Sequence, residues 1–90
     1  MFFLKYSIRF KKDLKSFKHS KDLLLILENI LDILVSGGQL SGNYRNHPLQ
    51  GEFKGCFECH LKPDILLVYK KDKQEISIIL LRIGSHSDLF

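Results

Sequence analysis

Three of the four histidines in this chain, His47, His60 and His86, fall in its second half, close to residues that could complete a proton-transfer site. Asp64 follows His60 by four positions, and Arg82 stands just before Gly84, four positions ahead of His86. Imidazoles titrate near neutrality and can both take and give a proton. Arginine can grip a phosphate with a two-pronged fork and stabilise charge building on it. Together these groups suit RNA cleavage by internal attack. A base removes the ribose 2′-hydroxyl proton, an acid protonates the departing 5′-oxygen, and a cation steadies the phosphorane. That chemistry requires no metal and no other cofactor. Spacing alone does not make the groups converge, and a single histidine is more often a surface residue than a catalyst.

A second constellation overlaps the first. Cys56-Phe57-Glu58-Cys59-His60 matches the C-x-x-C-H signature of haem attachment and contains the C-x-x-C of redox and zinc sites. If residues 56–62 form a strand, alternation sends Cys56 and Cys59 to opposite faces, so they cannot share a haem, a disulfide or a zinc ion. A tetrahedral zinc site would also need two further ligands at matching spacing, and the chain has no second cysteine pair. Neither haem nor zinc is therefore expected. The same alternation groups Phe57, Cys59 and Leu61 on an apolar face, with Cys56, Glu58, His60 and Lys62 on a polar one.

The elements that must carry these groups are legible in outline. Residues 2–6 read as a short strand, and Ser7 as the N-cap of a helix anchored by Ile8, Phe10, Leu14 and Phe17 and ending near Lys18. Ser20 is a second N-cap candidate. Leu23, Leu24, Leu27, Ile30, Leu31 and Leu34 give the helix over residues 21–35 one broad apolar face. Gly37 and Gly38 stop it. Residues 39–55 read as a loop carrying Tyr44, Arg45 and His47. Three strands follow, Cys56 to Lys62, Ile65 to Lys70 and Gln74 to Ile83, joined by turns so short that they must be antiparallel. The order βααβββ defines an α+β layer, a helical hairpin packed on one face of an antiparallel sheet, in a single domain over residues 1–90.

Composition sets bounds on function. An apolar fraction of 44% and a charged fraction of 27% are those of a folded globular protein. The net charge of +4 is unevenly placed. Residues 1–21 hold Lys5, Arg9, Lys11, Lys12, Lys15, Lys18 and Lys21 against a single acid, Asp13. Such a block favours an anionic partner, although a solvated helix face accounts for it equally well. The apolar stretch from Leu23 to Val35 is broken by Glu28, Asn29 and Asp32, so no membrane span is expected. Met1 to Leu4 are followed at once by Lys5, too short a run for an export signal, and the expected location is cytoplasmic.

The runs Tyr44-Arg45-Asn46-His47-Pro48-Leu49-Gln50-Gly51, Phe53-Lys54-Gly55 and Glu58-Cys59-His60-Leu61-Lys62-Pro63-Asp64 closely resemble the YafQ branch of RelE-like bacterial toxins. So does the ending Arg82-Ile83-Gly84-Ser85-His86-Ser87-Asp88-Leu89-Phe90. These motifs keep the family's order from Tyr44 to the last residue, while the N-terminal half matches only in pattern. The resemblance implies the RelE/ParE-like fold and a type II toxin that cleaves mRNA in the ribosomal decoding site until a cognate antitoxin silences it. It places the catalytic positions on His47, His60, Asp64 and His86, and the phosphate-stabilising arginine on Arg82. Phe90 is the terminal aromatic implied to contact a base, and Glu58 falls where the family commonly has an acid. Lys54 and Tyr44 are further RNA contacts, and Lys11, Lys12, Lys15 and Lys18 are expected to meet ribosomal RNA. Which imidazole is base and which acid stays open, with preference for His86 as acid and His60 or Asp64 assisting deprotonation. One departure stands out: the family often has Trp directly after the aspartate, and this chain has Ile65 and no Trp at all.

Two rivals share the fold. A ParE-like toxin would poison DNA gyrase without cutting RNA, but it would have no use for three imidazoles around an arginine. A catalytically weak homologue kept for antitoxin binding would look the same in sequence.

Overall fold

Ser7 ends the first strand and starts the first helix in the computed structural model, which describes residues 1–90. Its backbone is extended, its Oγ accepts from the Phe10 N–H at 2.9 Å, and it donates to the Leu81 carbonyl at 2.8 Å. One serine thus caps α1 (Ile8–Leu14) and ties it to the sheet. Helix α1 tightens into a 3₁₀ turn over Lys15–Phe17, and α2 runs from Lys21 to Val35. Ser20 stands at the N-cap position of α2 but makes no side-chain capping bond. Gly37, at φ +83°, supplies the left-handed residue that ends α2, and the Gly37 and Gly38 amides close back on Leu34 and Ile33.

The strands are β1 (Phe3–Tyr6), β2 (His47–Pro48), β3 (Phe57–Lys62), β4 (Ile65–Asp72) and β5 (Ser77–Ser85), followed by a single-turn helix α3 (His86–Leu89). Their spatial order is β1-β5-β4-β3-β2, with β1 parallel to β5 and every other pair antiparallel. The α+β class and the three C-terminal antiparallel strands match the expectation, but the sheet is mixed rather than antiparallel, because β1 joins it parallel to β5, and the order βααβββ is incomplete. A two-residue strand, β2, lies inside the segment read as loop, because His47 and Pro48 pair with Glu58 and Phe57. A turn of helix follows β5, capped by Ser85 Oγ accepting from the Asp88 N–H. Neither element is long enough to show a period in sequence.

The sheet divides the interior in two. Facing the helices, Phe10, Leu23, Leu27, Ile30 and Leu34 meet Cys59, Leu61, Leu67, Tyr69, Ile78, Leu80 and Ile83 in one buried cluster. On the other face Cys56, Leu66, Val68 and Leu89 form a much smaller one, bordered by Leu49, Phe53 and Leu81. Ile8, read as an anchor of the first helix, is instead 85% exposed, because Phe10 takes the inward position of that turn. No helix is long and apolar enough to cross a membrane.

Two bulges set which residues face which way. Between Val68 and Tyr69 of β4, the register against β5 slips by one residue at Leu81. Leu80 and Ile83 therefore both face the helices, and Leu81 and Arg82 both leave that face. A second irregularity between His60 and Lys62 turns Lys62 toward the helices, where its ammonium pairs with Asp22 of α2. Strict alternation put Lys62 beside Glu58 and His60, and the bulge removes it from that row.

Candidate functional site

The face opposite the helices carries the ionisable groups in two rows. Register pairs His47 with Glu58, Glu58 with Val68, and Val68 with Arg82, one row across β2, β3, β4 and β5. The next row is His60, Leu66 and Gly84. Strands lie about 4.8 Å apart, so the Arg82 backbone sits roughly 10 Å from that of Glu58.

At the β2 end of the first row, His47 Nε2 lies 2.7 Å from Glu58 Oε2. The carboxylate is the buried partner, with 8% of its side chain exposed against 49% for the imidazole. His47 Nδ1 is 3.2 Å from the Pro48 carbonyl. Both ring nitrogens thus face acceptor oxygens. The His60 ring stands 6.4 Å from that of His47, centroid to centroid, and its Nδ1 is buried with no hydrogen-bond partner. A buried unpaired imidazole nitrogen in a folded protein calls for an explanation, because desolvating it brings no return until something binds.

At the other end, α3 folds back over Gly84. A Cβ at that position would come 3.3 Å from Leu89 Cδ2, so glycine is what lets Leu89 close on Leu66 and Val68. The fold-back seats the Phe90 ring edge-on against Phe53 at 5.3 Å, and His86 lies 5.1 Å from Phe90. Phe90 keeps 49% of its surface exposed. Phe53 has no role assigned from sequence; its only signal there is its place within the second family-like run.

Arg82 is not a free cation. Its Nε and Nη2 donate to Asp13 Oδ2 and Oδ1 at 2.7 and 3.2 Å, and the Ile83 N–H donates to the same Oδ2 at 3.1 Å. The carboxylate holds the guanidinium above its already high ordinary value, opposed by partial burial and aided by Asp88. Sequence reading missed Asp13, although it is the lone acid in the basic N-terminal block.

The structure brings together some of the expected residues and separates others. His47, Glu58 and His60 share one end of the face, and His86 and Phe90 gather with Phe53 at α3. Asp64 stands exposed in the Pro63-Asp64 turn, with no ion pair or hydrogen bond to His60. The β4–β5 ladder ends at the Ile65–Ser85 pair, next in sequence to Asp64 on one side and His86 on the other. Lys54 is exposed directly after Phe53. Tyr44 is half-buried and packs against the helix-side cluster. Ile65 also packs against that cluster, so the position after Asp64 faces away from the histidine row. Lys11, Lys15 and Lys18 rim a shallow groove with Leu14 and Leu24, while Lys12 lies outside it. Cys56 and Cys59 fall in different clusters on opposite faces, as alternation required, and burial pushes the Cys59 thiol up to about 12.

Over residues 3–90 the sequence matches the family described as bacterial toxin of type II toxin-antitoxin system, YafQ. The chain belongs to this family of RelE/YafQ-type toxins. It is 34% identical over 89 residues to the mRNA interferase toxin YafQ of Escherichia coli K12, covering 97% of this chain and 94% of that protein. A metal-bound toxin from Helicobacter pylori superposes with a TM-score of 0.91 at 43% identity, each chain covered completely. YafQ from the E. coli DinJ-YafQ complex gives 0.87 at 30% identity, over 100% of this chain and 99% of that one. The metal of the H. pylori toxin invites a test of the donors here. His47 and Glu58 are a ligand-type pair, but no group of three or more His, Cys, Asp or Glu side chains converges with ligand geometry. The side chains present do not fit a cage built by the protein alone.

Proposed function

We propose that the chain is an endoribonuclease that cuts mRNA in the ribosomal decoding site, and that a cognate antitoxin holds it inactive in the cytoplasm. The observation that carries this reading is the His47–Glu58 pair beside the unpartnered buried nitrogen of His60, on a sheet face that buries little else. The interferase name of the E. coli relative and its solved complex with DinJ support the activity and the kind of partner.

In this reading His60 takes the proton from the ribose 2′-hydroxyl. The O2′ attacks phosphorus, the P–O5′ bond breaks, and His86 supplies the proton to the leaving 5′-oxygen. The products are a 2′,3′-cyclic phosphate and a 5′-hydroxyl, so atoms and charge balance without a further reactant. His47, held at Nε2 by Glu58, exchanges its longer Nδ1 contact with the Pro48 carbonyl for the phosphate. Arg82 offers its unused N–H groups as charge builds there. Asp64, exposed in the turn after β3, assists the deprotonation. Phe90, braced by Phe53, presents an exposed ring for a base to stack on. Lys54 contacts the backbone near that base. Lys11, Lys12, Lys15 and Lys18 dock on ribosomal RNA, where attraction is electrostatic and independent of sequence.

The test is a reporter message translated in vitro with purified protein and its 5′ ends mapped, alongside His60→Ala and His86→Ala. Cuts that vanish in both variants support the reading. Wild-type protein that cuts nothing and inhibits DNA gyrase overturns it in favour of a ParE-like toxin.

A further inference from the structure

The open edge of β5 is where the molecule commits a residue with no assigned role. Strand β1 pairs with β5 only as far as Tyr6 opposite Leu80. Beyond that point no strand covers the β5 edge, and α1 runs alongside it. Asp13, in the last turn of α1, fills the gap by accepting from the Ile83 N–H while gripping Arg82 side-on. Both side chains are mostly withdrawn from water, 16% exposed for Asp13 and 18% for Arg82.

The geometry of that grip is selective. A guanidinium has five N–H donors in a rigid plane. Asp13 takes the Nε–H and one hydrogen of Nη2, which leaves both hydrogens of Nη1 and the outer one of Nη2. Those three point away from the carboxylate, so a phosphate can be met end-on while Asp13 holds the side. The carboxylate is itself fixed by the backbone, since one oxygen also binds the Ile83 amide. A long side chain that would otherwise sample many rotamers is thereby restricted before substrate arrives.

We propose that Asp13 is a positioning residue for the ribonuclease site, orienting Arg82 so that its remaining N–H donors meet the phosphate at the transition state. The inference rests on the proposed RNA-cleaving function for its catalytic consequence and on the ion pair alone for its geometry. Asp13 touches no reacting atom. It acts through Arg82, and it ties the first helix to the last strand in doing so.

The test is a double-mutant cycle with Asp13→Asn and Arg82→Ala, read as single-turnover cleavage. Asparagine keeps the size and one acceptor oxygen while removing the charge. Asp13→Asn is expected to lower kcat on the order of 10- to 100-fold with KM little changed, as loss of orientation does. In the Arg82→Ala background the same substitution should add nothing. An equal loss in both backgrounds, or an unchanged kcat, overturns the proposal. A second readout needs neither activity nor Arg82→Ala to fold. The Arg82 Nε–H should give a sharp, slowly exchanging NMR signal in the wild type that broadens or vanishes in Asp13→Asn. Equal exchange in the two proteins overturns the inference. A wild type that shows the protected signal but cuts no RNA overturns the ribonuclease reading and leaves the orienting ion pair standing.

Discussion

The two faces of the sheet are made from the same strands and do opposite things. Toward the helices, twelve buried residues from α1, α2, β3, β4 and β5 form a continuous apolar cluster. Away from them only Cys56, Leu66, Val68 and Leu89 are buried together, and the surrounding positions are His47, Glu58, His60, Arg82 and Phe90. A 90-residue chain has net stability of about 5–15 kcal/mol at most, so it can sustain one substantial core. The comparison teaches a division of labour. Apolar burial on one face stabilises the sheet, and that stability lets the other face leave an imidazole nitrogen unpaired and a carboxylate buried beside one histidine.

The comparison breaks most directly at His60. His60→Ala is expected to reduce cleavage about 10²- to 10⁴-fold, the range for removing a general acid or base, while the urea midpoint stays near that of the wild type. A large stability loss would mean that His60 belongs structurally to the core. The mirror experiment is Ile30→Ala on the helix side, fully buried in α2. It should cost about 2–5 kcal/mol in urea unfolding, much of the total, while the remaining folded protein keeps its specific activity.

Gly84→Ala probes the seam between the faces. Its new Cβ would press on Leu89 at 3.3 Å, and Leu89 must shift with the turn that carries His86 and Phe90. Activity should fall roughly 10-fold, with an unfolding change of at most about 1 kcal/mol, because only the small cluster is disturbed. Equal activity would show that α3 accommodates the methyl group without moving His86.

Tyr69 gives a smaller effect with a pH signature. It lies in the helix-side core and donates to Asn46 Oδ1 at 2.6 Å, and burial pushes its phenol up to about 12 from an ordinary 10.0. The folded form therefore keeps its proton where the unfolded form has lost it. Tyr69's contribution to stability is complete below pH 10 and disappears as pH rises toward 12. Tyr69→Phe should cost about 1 kcal/mol at neutral pH and flatten that alkaline fall in urea midpoints. The least effect is expected at Asp22, whose carboxyl is held low by the exposed Lys62 pair. Asp22→Asn should leave the midpoint at neutral pH unchanged, as exposed ion pairs usually do.

Much of this arrangement was legible in the chain. The three- and four-residue spacing of Leu23, Leu27, Ile30 and Leu34 specified α2 and its buried face, because burial must follow the helical period. Alternation separated Cys56 from Cys59 and put Glu58 with His60, since a strand's side chains alternate whatever lies above them. The family-like order of His47, His60, Asp64, Arg82, His86 and Phe90 supplied the class of protein.

Other features came only from the tertiary structure. Two register slips, each of one residue, brought Lys62 to Asp22 of α2 and kept Arg82 out of the helix-side apolar cluster, and a slip leaves no trace in composition or period. Pairing between residues far apart made β2, set Glu58 against His47, and brought Asp13 to Arg82 across 69 positions. The sequence by itself determined the elements, the apolar face and the inventory of reactive side chains, because those depend on local period and residue type. Which side chains meet was decided by packing and register, because contact between distant residues is a property of the assembled sheet and of no segment of the chain.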